Sequence, residues 1–187
     1  MRLPLALALV ALTPLASRAD DGVLPVGADG KPLNLDFETG TLKDWTAEGD
    51  AFVEQPVEGD TVIRTRPWMK MRSRHKGKFW IGGFEKRGDG PTGTLTSAPF
   101  KVTHPWASFL LGGGPSPDLA VELVAKETGE VFHRSVNTAE AEDMARVWVD
   151  LKDVKDKEIF IRLVDKHTGN WGHLNFDDFR FHAEKTK

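Results

Sequence analysis

The strongest constraint on the fold is a series of short β-rich runs separated by turn residues. Apolar and polar residues alternate in several runs, and Ile159, Ile161 and Leu163 fall on one side of one of them. Glycine, proline and aspartate fill the turns between runs. The strands are predicted at residues 33–37, 61–65, 79–84, 94–102, 107–111, 119–125, 130–136, 146–151, 158–164 and 174–181. This spacing predicts an all-β fold, an antiparallel β-sandwich or a barrel.

One segment between these runs has a helix-like pattern. Residues 138–145 are predicted to form one or two helical turns. Asn137 would be the N-cap, and Glu140, three residues later, would complete a weak capping box.

The amino-terminal segment has the features of a secretory signal peptide. A basic Arg2 precedes an apolar stretch, residues 3–15, and small residues precede a cleavage point after Ala19. The apolar stretch is too short to cross a bilayer comfortably, and no other segment reaches the ~20 apolar residues of a membrane span. We therefore expect a secreted or periplasmic protein. Residues 20–32 are predicted to be a flexible leader, and residues 33–184 one domain.

The composition excludes several classes of protein. The 187 residues include no cysteine, so disulfides, cysteine-ligated zinc and thiol nucleophiles are excluded. The formal net charge of -3 argues against nucleic acid as a general partner. The length suits one domain.

Residues 64–78 form a basic run in this mildly acidic chain. The run contains seven lysines and arginines and, among them, Trp68. It could bind a polyanion, and Trp68, if exposed, could be a stacking platform. We favour the alternative, a solvated loop or edge strand whose charges discourage edge pairing.

Four motifs carry a resemblance to a known family. They lie at residues 36–45, 93–100, 108–114 and 164–177. In this order and spacing they resemble the carbohydrate-binding modules attached to levanases and other fructan hydrolases. The resemblance implies a galactose-binding-domain-like β-sandwich, a jelly roll, that holds a terminal sugar in a shallow pocket and is usually appended to a larger enzyme. The chain is also similar to accessory domains of large secreted bacterial proteins.

Trp171 and His173 are the first candidates for a sugar site. They lie at a glycine-flanked corner between two predicted strands. An indole face stacks on the apolar face of a sugar ring, and nearby polar groups read its hydroxyls. The alternatives remain open: Trp171 plugs the end of the sandwich, and His173 is a buried structural histidine.

Arg146 and Asp165 are the second pair of candidates. A guanidinium and a carboxylate together can donate to and accept from vicinal hydroxyls. The two could equally form only a cross-strand ion pair. The glycines that would let a ligand approach the backbone, or would instead form a bulge, are Gly112, Gly113 and Gly114. Weaker candidates are Glu122 and Glu142.

Glu38 and Asp177 are candidate ligands of a structural calcium ion. They stand on the first and last predicted strands, which lie side by side in sandwiches of this resemblance. Calcium takes six to eight oxygen ligands, so loop carbonyls would complete the set. Asp36 or Asp178 could replace either carboxylate. The alternative is that Glu38 caps a turn and Asp177 pairs with an N–H group or a lysine.

These observations predict a secreted, non-catalytic protein that holds a glycan chain end, which the resemblance suggests is a fructan. Its partners would be a polysaccharide or oligosaccharide and a larger secreted glycoside hydrolase. The sequence has no nucleophile elbow, phosphate-binding loop or His-Glu-x-x-His motif, so we predict that it is not an enzyme. The alternative is an extracellular protein-interaction or cell-surface scaffold module.

Overall fold

Residues 21–186, the part of the chain that the computed structural model describes, consist mainly of short strands. The strands are β1 (Trp45–Gly49), β2 (Val57–Glu58), β3 (Phe79–Gly82), β4 (Gly93–Ser97), β5 (Phe100–Lys101), β6 (Trp106–Gly113), β7 (Leu119–Ala125), β8 (Val131–Ser135), β9 (Ala141–Asp150), β10 (Glu158–Asp165) and β11 (Leu174–His182). The helices are α1 (Thr61–Thr65), α2 (Phe84–Arg87) and two 3-10 turns, Pro67–Met69 and Lys152–Val154. None of these helices has the length and apolar character that crossing a membrane requires.

The strands form two antiparallel sheets. Sheet I has the order β1-β4-β10-β7-β8, with β5 pairing with β10, and sheet II has the order β2-β3-β11-β6-β9. The last strand, β11, lies in the middle of sheet II between β3 and β6. The antiparallel β-sandwich predicted from the sequence is confirmed.

An aromatic cluster fills the space between the sheets. Phe37 stacks on Trp45 with ring centroids 5.2 Å apart, and Phe176 meets both rings edge-on at 6.1 Å. Phe109 and Phe179 extend the same cluster. Aromatic pairs in these geometries add to the stabilisation that their burial provides. Because this core continues from one sheet to the other, the sandwich is one domain.

A smaller apolar cluster lies on the other face of sheet II. Trp80 and Leu110 alternate with Ile81 and Leu111, which face the main core, so they point away from it. Val62 of α1 packs on them. The segment between β2 and β3 therefore covers part of sheet II, and this position brings it to the candidate site.

Three local predictions were wrong. Residues 138–145 lie mostly in β9, whose pairing with β6 overrides the helical propensity of the segment. Residues 61–65 form α1, because the Asp60 side chain caps it by accepting the N–H of Ile63 at 3.2 Å. Residues 33–37 form no strand, and within them only Leu35 and Asp36 lie in a turn. The predicted strand 94–102 is also divided, into β4 and β5, at Pro99, which has no N–H for a ladder.

Residues 21–32 are packed against the sandwich. Val23 exchanges two main-chain hydrogen bonds with Phe181 of β11, at 2.9 and 2.8 Å, and Leu24 packs on the core. The N–H of Leu33 donates to the carbonyl of Pro25 at 2.9 Å. The segment predicted as a flexible leader is thus part of the fold, which begins before Leu33. The predicted signal peptide, residues 1–19, lies outside the described residues.

A shortened chain tests this boundary. A variant that begins at Leu33 should unfold at a lower temperature than one that begins at Asp21, because it loses the Val23–Phe181 pairing and the Leu24 contact. We expect a loss on the order of 2 kcal/mol from two hydrogen bonds and one partly buried leucine. Urea and thermal denaturation measure it. Equal midpoints for the two chains would mean that the domain begins at Leu33.

Candidate functional site

A cavity of about 140 Å³ opens where several elements of the sandwich meet. Phe84 and Trp171 supply its aromatic lining. Its ionisable lining residues are Arg66, Asp89, Glu142 and His173. Arg66 follows α1, Phe84 and Asp89 belong to α2 and the loop after it, Glu142 lies on β9, and the other two residues directly precede β11. The cavity therefore combines stacking surfaces with charged groups from separate parts of the chain.

Glycines of β6 determine the position of the Trp171–His173 corner. The Gly114 N–H donates to the carbonyl of His173 at 2.9 Å. A Cβ at Gly114 would overlap the Trp171 carbonyl, and one at Gly113, whose φ is +100°, would overlap the His173 carbonyl. A Cβ at Gly112 would crowd β9 instead, 3.1 Å from the Ala141 carbonyl. These three glycines thus permit a close approach by the protein's own chain, and their predicted contact with a ligand stays a prediction.

The corner itself is compact and partly strained. Trp171 has a φ of +59°, in the left-handed region that bulky residues rarely adopt. Its ring stacks on the His173 ring with centroids 5.5 Å apart and planes 25° apart. Strained residues persist where their surroundings fix them, and they are common at ligand sites. Trp171 is half-buried and leaves part of its ring open to the cavity.

A buried network of charged groups forms the floor of the cavity. Arg66 contacts Glu85, and its Nη1 lies 3.1 Å from Oε1 of Glu142. His173 Nδ1 lies 2.6 Å from Asp89 Oδ1. The guanidinium of Arg66 also stands over the Phe84 ring, 4.3 Å from its centroid. Each charged group is therefore held in one orientation before any ligand arrives.

Two nitrogen atoms in this network have no hydrogen-bond partner. Nε of Arg66 and Nε2 of His173 are buried and unpaired within residues 21–186. The nearest carboxylate oxygen to His173 Nε2, on Glu142, is 3.6 Å away, beyond hydrogen-bonding distance. Buried polar atoms are paired in the great majority of cases, so each exception needs an explanation. Both residues line the cavity, and the two nitrogen atoms lie behind its surface.

Burial and charge act in opposite directions on the acid–base groups here. Burial lowers the pKa of His173, but the carboxylates of Glu142 and Asp89 outweigh it and raise the pKa above its ordinary value. Burial raises the pKa of Glu142, but His173, the Asn175 amide and Arg66 outweigh it and hold the pKa below its ordinary value. Glu142 is thus a carboxylate at neutral pH, whereas His173 tends towards its charged form.

The structure places only some of the predicted site residues in the cavity. Trp171, His173 and the weaker candidate Glu142 meet in the cavity. Arg146 does not line the cavity. Its guanidinium forms an ion pair with Asp178 at 2.5 Å, and the predicted pair with Asp165 is not formed. Asp165 is buried at the end of β10 outside the cavity lining. The other weaker candidate, Glu122, pairs with Arg134 and Arg162 on sheet I.

Sequence analysis missed Arg66, Phe84 and Asp89. Arg66 lies within the basic run and has no local feature that separates it from its neighbours, yet only 8% of its surface is exposed. The signal that existed was Pro67, since it follows Arg66 and starts a new helical turn. Phe84 and Asp89 had no such signal.

Glu38 and Asp177, the predicted calcium ligands, contact the same segment of chain. Asp177 Oδ2 accepts the N–H of Lys76 at 2.8 Å, and Glu38 Oε1 accepts that of Lys78 at 2.8 Å. Burial, with Asp178 nearby, raises the pKa of Asp177 well above its ordinary value, although the N–H groups of Lys76 and Asp178 act to lower it. Within residues 21–186 no three metal-ligating side chains cluster. Calcium would therefore need main-chain carbonyls as further ligands, and it stays a prediction.

The two antiparallel sheets define a β-sandwich, and solved structures of the same fold are known. The solved structure of TmCBM61 with β-1,4-galactotriose is 20% identical to this chain, with a TM-score of 0.50, over 81% of this chain and 96% of that one. The K1 cleaved adhesin domain of Lys-gingipain from Porphyromonas gingivalis W83 is 13% identical, with a TM-score of 0.48, over 80% and 96%. The likeness to TmCBM61 confirms the predicted fold.

Sequence comparisons give a partial match. No family model matches the chain. The protein ecdE of Aspergillus rugulosus, named as an inferred glycosyl hydrolase, is 26% identical over 159 residues. The match covers 75% of this chain but 22% of that protein. The chain therefore corresponds to a small part of this relative, and the fructan type of the resemblance stays a prediction.

Replacing Asp165 tests the electrostatics beside the cavity. Burial, with a smaller effect from Asp89, raises the pKa of Asp165 to about 7, against the opposing effects of His173 and the His167 N–H. Because the raised folded-state pKa favours the protonated acid, its stabilisation is complete below about pH 4 and is lost as the pH rises through about 7. Asp165→Asn should therefore raise the thermal midpoint at pH 8, by about 2–4 °C per kcal/mol, and change it little at pH 4.

Melting curves of both proteins across this pH range measure the effect, with Asp153→Asn on an exposed turn as the control. A gain that is equal at pH 4 and pH 8 would contradict the raised pKa.

Proposed function

We propose that this protein is a secreted, non-catalytic carbohydrate-binding protein that holds the end of a glycan chain in the cavity at the Trp171 corner. The observation that carries the proposal is the aromatic-lined cavity, in which the half-buried Trp171 ring stands beside polar atoms of Arg66, Asp89 and His173. Sugar hydroxyls both donate and accept hydrogen bonds, so they suit such atoms. The apolar stretch at residues 3–15 supports secretion.

The size and lining of the cavity favour a single sugar ring. Its volume of about 140 Å³ is below the ~300–1,000 Å³ of pockets for drug-sized ligands. Trp171 and Phe84 offer faces for the C–H side of a ring, and Asp89 and Arg66 offer an acceptor and a donor. A chain end would fill the cavity while the rest of the glycan lies outside.

Binding through one such site should be weak. Most hydroxyl contacts replace contacts with water, so each adds little net free energy. We expect a Kd roughly between micromolar and millimolar, about -8 to -4 kcal/mol. A protein of this kind acts by keeping an attached or associated enzyme close to its substrate.

A larger partner enzyme is supported by the length of the relative. The match to ecdE covers 22% of a protein named as an inferred glycosyl hydrolase, which fits a module within a larger enzyme. The resemblance suggests fructans as ligands. The galactotriose bound by TmCBM61 makes β-1,4-galactans a second ligand class to screen.

Trp171→Ala tests the proposed site. The variant should lose retention on levan or β-1,4-galactan, with binding weakened about tenfold or more, because the main stacking face is removed. Its thermal midpoint should stay near that of the wild type, since the ring is half-buried and borders a cavity. Trp106→Ala is the matched control, because Trp106 is also half-buried but lies at the other end of β6. Affinity gels and calorimetry measure binding.

The result also discriminates between function classes. Unfolding of Trp171→Ala would mean that the indole is a structural plug. Failure of the folded wild type to bind any neutral or charged glycan would favour the alternative, a protein-interaction or scaffold module.

We also propose that calcium binds between Glu38 and Asp177 and links the first and last parts of the sandwich. Burial, and to a smaller extent repulsion from Asp178 and Asp36, raises the pKa of Asp177, and a cation there would offset both effects. Excess chelator, or Glu38→Ala, should then lower the thermal midpoint, and added calcium should restore it after chelation but not in the variant. Glu48→Ala, on exposed β1, is the control. A melting curve that chelator leaves unchanged would remove the calcium proposal.

A further inference from the structure

The basic run forms an exposed surface that the proposed sugar cavity does not use. We define the basic surface as Arg64, Lys70, Arg72, Arg74, Lys76 and Lys78 together with Trp68. Arg66, the remaining cation of the run, is buried in the cavity floor. All members of the basic surface are exposed, in a chain whose formal net charge is -3. The exposed positive charge is therefore concentrated in one segment of the chain, residues 64–78, in a molecule that is acidic as a whole.

The acidic groups nearest this surface bind its main chain. Asp60 accepts the N–H groups of Ile63 and Ser73, and Asp143 accepts that of Arg72 at 2.6 Å. Asp177 and Glu38 do the same for Lys76 and Lys78, both at 2.8 Å. These acids fix the path of the backbone and leave the basic side chains directed to solvent.

Ion pairs neutralise little of the positive charge on the basic surface. Arg74 reaches Asp143 at 3.4 Å, but 65% of the arginine side chain remains exposed, so the pair is worth little. Among the residues from 21 to 186, the other five cations of the surface make no ion pair. Lys70 and Arg74 also have φ values of +56° and +54°, where glycine would be less strained. Charged side chains thus occupy positions that the backbone alone would assign to glycine.

Trp68 connects this surface to the cavity. It is 74% exposed, the most exposed large hydrophobic residue among those described. It lies in the 3-10 turn Pro67–Met69, and Met69 lines the cavity. The exposed indole is thus one residue from the cavity lining, and exposed cations precede and follow it in the sequence. Indole faces and cations together suit sugar rings that carry negative groups.

We infer that the glycan is anionic: its end sugar enters the cavity, and the uronate or sulfate groups of the following sugars lie on the basic surface. The inference rests on the proposed function and names the chemical class of its ligand. The cavity floor holds carboxylates of Glu85, Glu142 and Asp89 beside two cationic groups, so the end sugar itself should be uncharged. The negative groups belong to the part of the chain outside the cavity.

A set of four variants tests the inference. The basic-surface variant carries Arg64→Gln, Lys70→Gln and Arg72→Gln. Its matched control carries Lys43→Gln, Lys155→Gln and Lys157→Gln, three exposed lysines elsewhere that remove the same charge. Trp68→Ala and Trp171→Ala complete the set. The probes are polygalacturonate and a sulfated galactan, neutral levan and β-1,4-galactan, phosphatidylserine vesicles and duplex DNA.

We expect the wild type to bind the anionic polysaccharides more tightly than the neutral ones. The basic-surface variant should bind the anionic polysaccharides about tenfold more weakly, since three exposed charge contacts each contribute modestly, whereas the control should be unchanged. Both the preference and the variant's defect should shrink between about 0.1 M and about 1 M salt, where the Debye length falls from about 10 Å to about 3 Å. Trp68→Ala should weaken anionic binding at both salt concentrations.

Other outcomes separate the two proposals. Equal binding of anionic and neutral polysaccharides that only Trp171→Ala abolishes would overturn this inference and support the cavity. If the control variant lost as much anionic binding as the basic-surface variant, the loss would reflect net charge alone, and this inference would be overturned. Vesicles or DNA that bind as tightly, without dependence on Trp68, would overturn it in favour of a general polyanion surface. Undiminished binding by Trp171→Ala to every polysaccharide would refute the proposed function itself.

Discussion

The buried contacts of Arg66 with Glu85 and Glu142 are the interaction on which the site depends. They tie the segment after α1 to α2 and to β9, and they hold the guanidinium over Phe84. Removing one partner of such a buried pair typically costs about 3–5 kcal/mol, because the other charge is left without compensation. The same contacts fix Glu142 beside His173. Without Arg66 the cavity floor, its aromatic wall and the attachment of the basic surface would all lose their common anchor.

The architecture of the sandwich could be predicted because its signal is local and repeated. Alternation in β10 and the long apolar runs of β6 and β7 mark strands wherever they pair. Secondary structure was predicted wrongly where a contact with another part of the chain decides whether a segment becomes a strand or a helix. In β9, the ladder with β6 overrides a helix-like sequence, and in α1 one aspartate side chain turns a β-branched segment into a helix.

The site could be predicted only in part, for a related reason. Trp171 and His173 have a recognisable local setting, a corner with glycines on either side. Arg66 and Asp89 have none, since their role comes from contacts between distant parts of the chain. Arg146 and Asp165 were paired on chemistry alone, and the strand register sends Arg146 to Asp178. Spacing along the sequence identifies corners, but it does not identify which buried charges meet.

Acidic side chains hold the backbone of residues 63–78 in place. The shape of this segment is therefore independent of the charge that its own exposed side chains carry. Because Asp60, Asp143, Asp177 and Glu38 bind N–H groups, they stabilise the segment whatever side chains it carries. The exposed cations of the basic surface, unlike the buried Arg66, therefore contribute little to holding the backbone, and their number or sign can change while the loop keeps its shape. The outer face of this segment is thus interchangeable in charge, whereas the buried contacts of Arg66 beneath it are not, because they hold separate elements together.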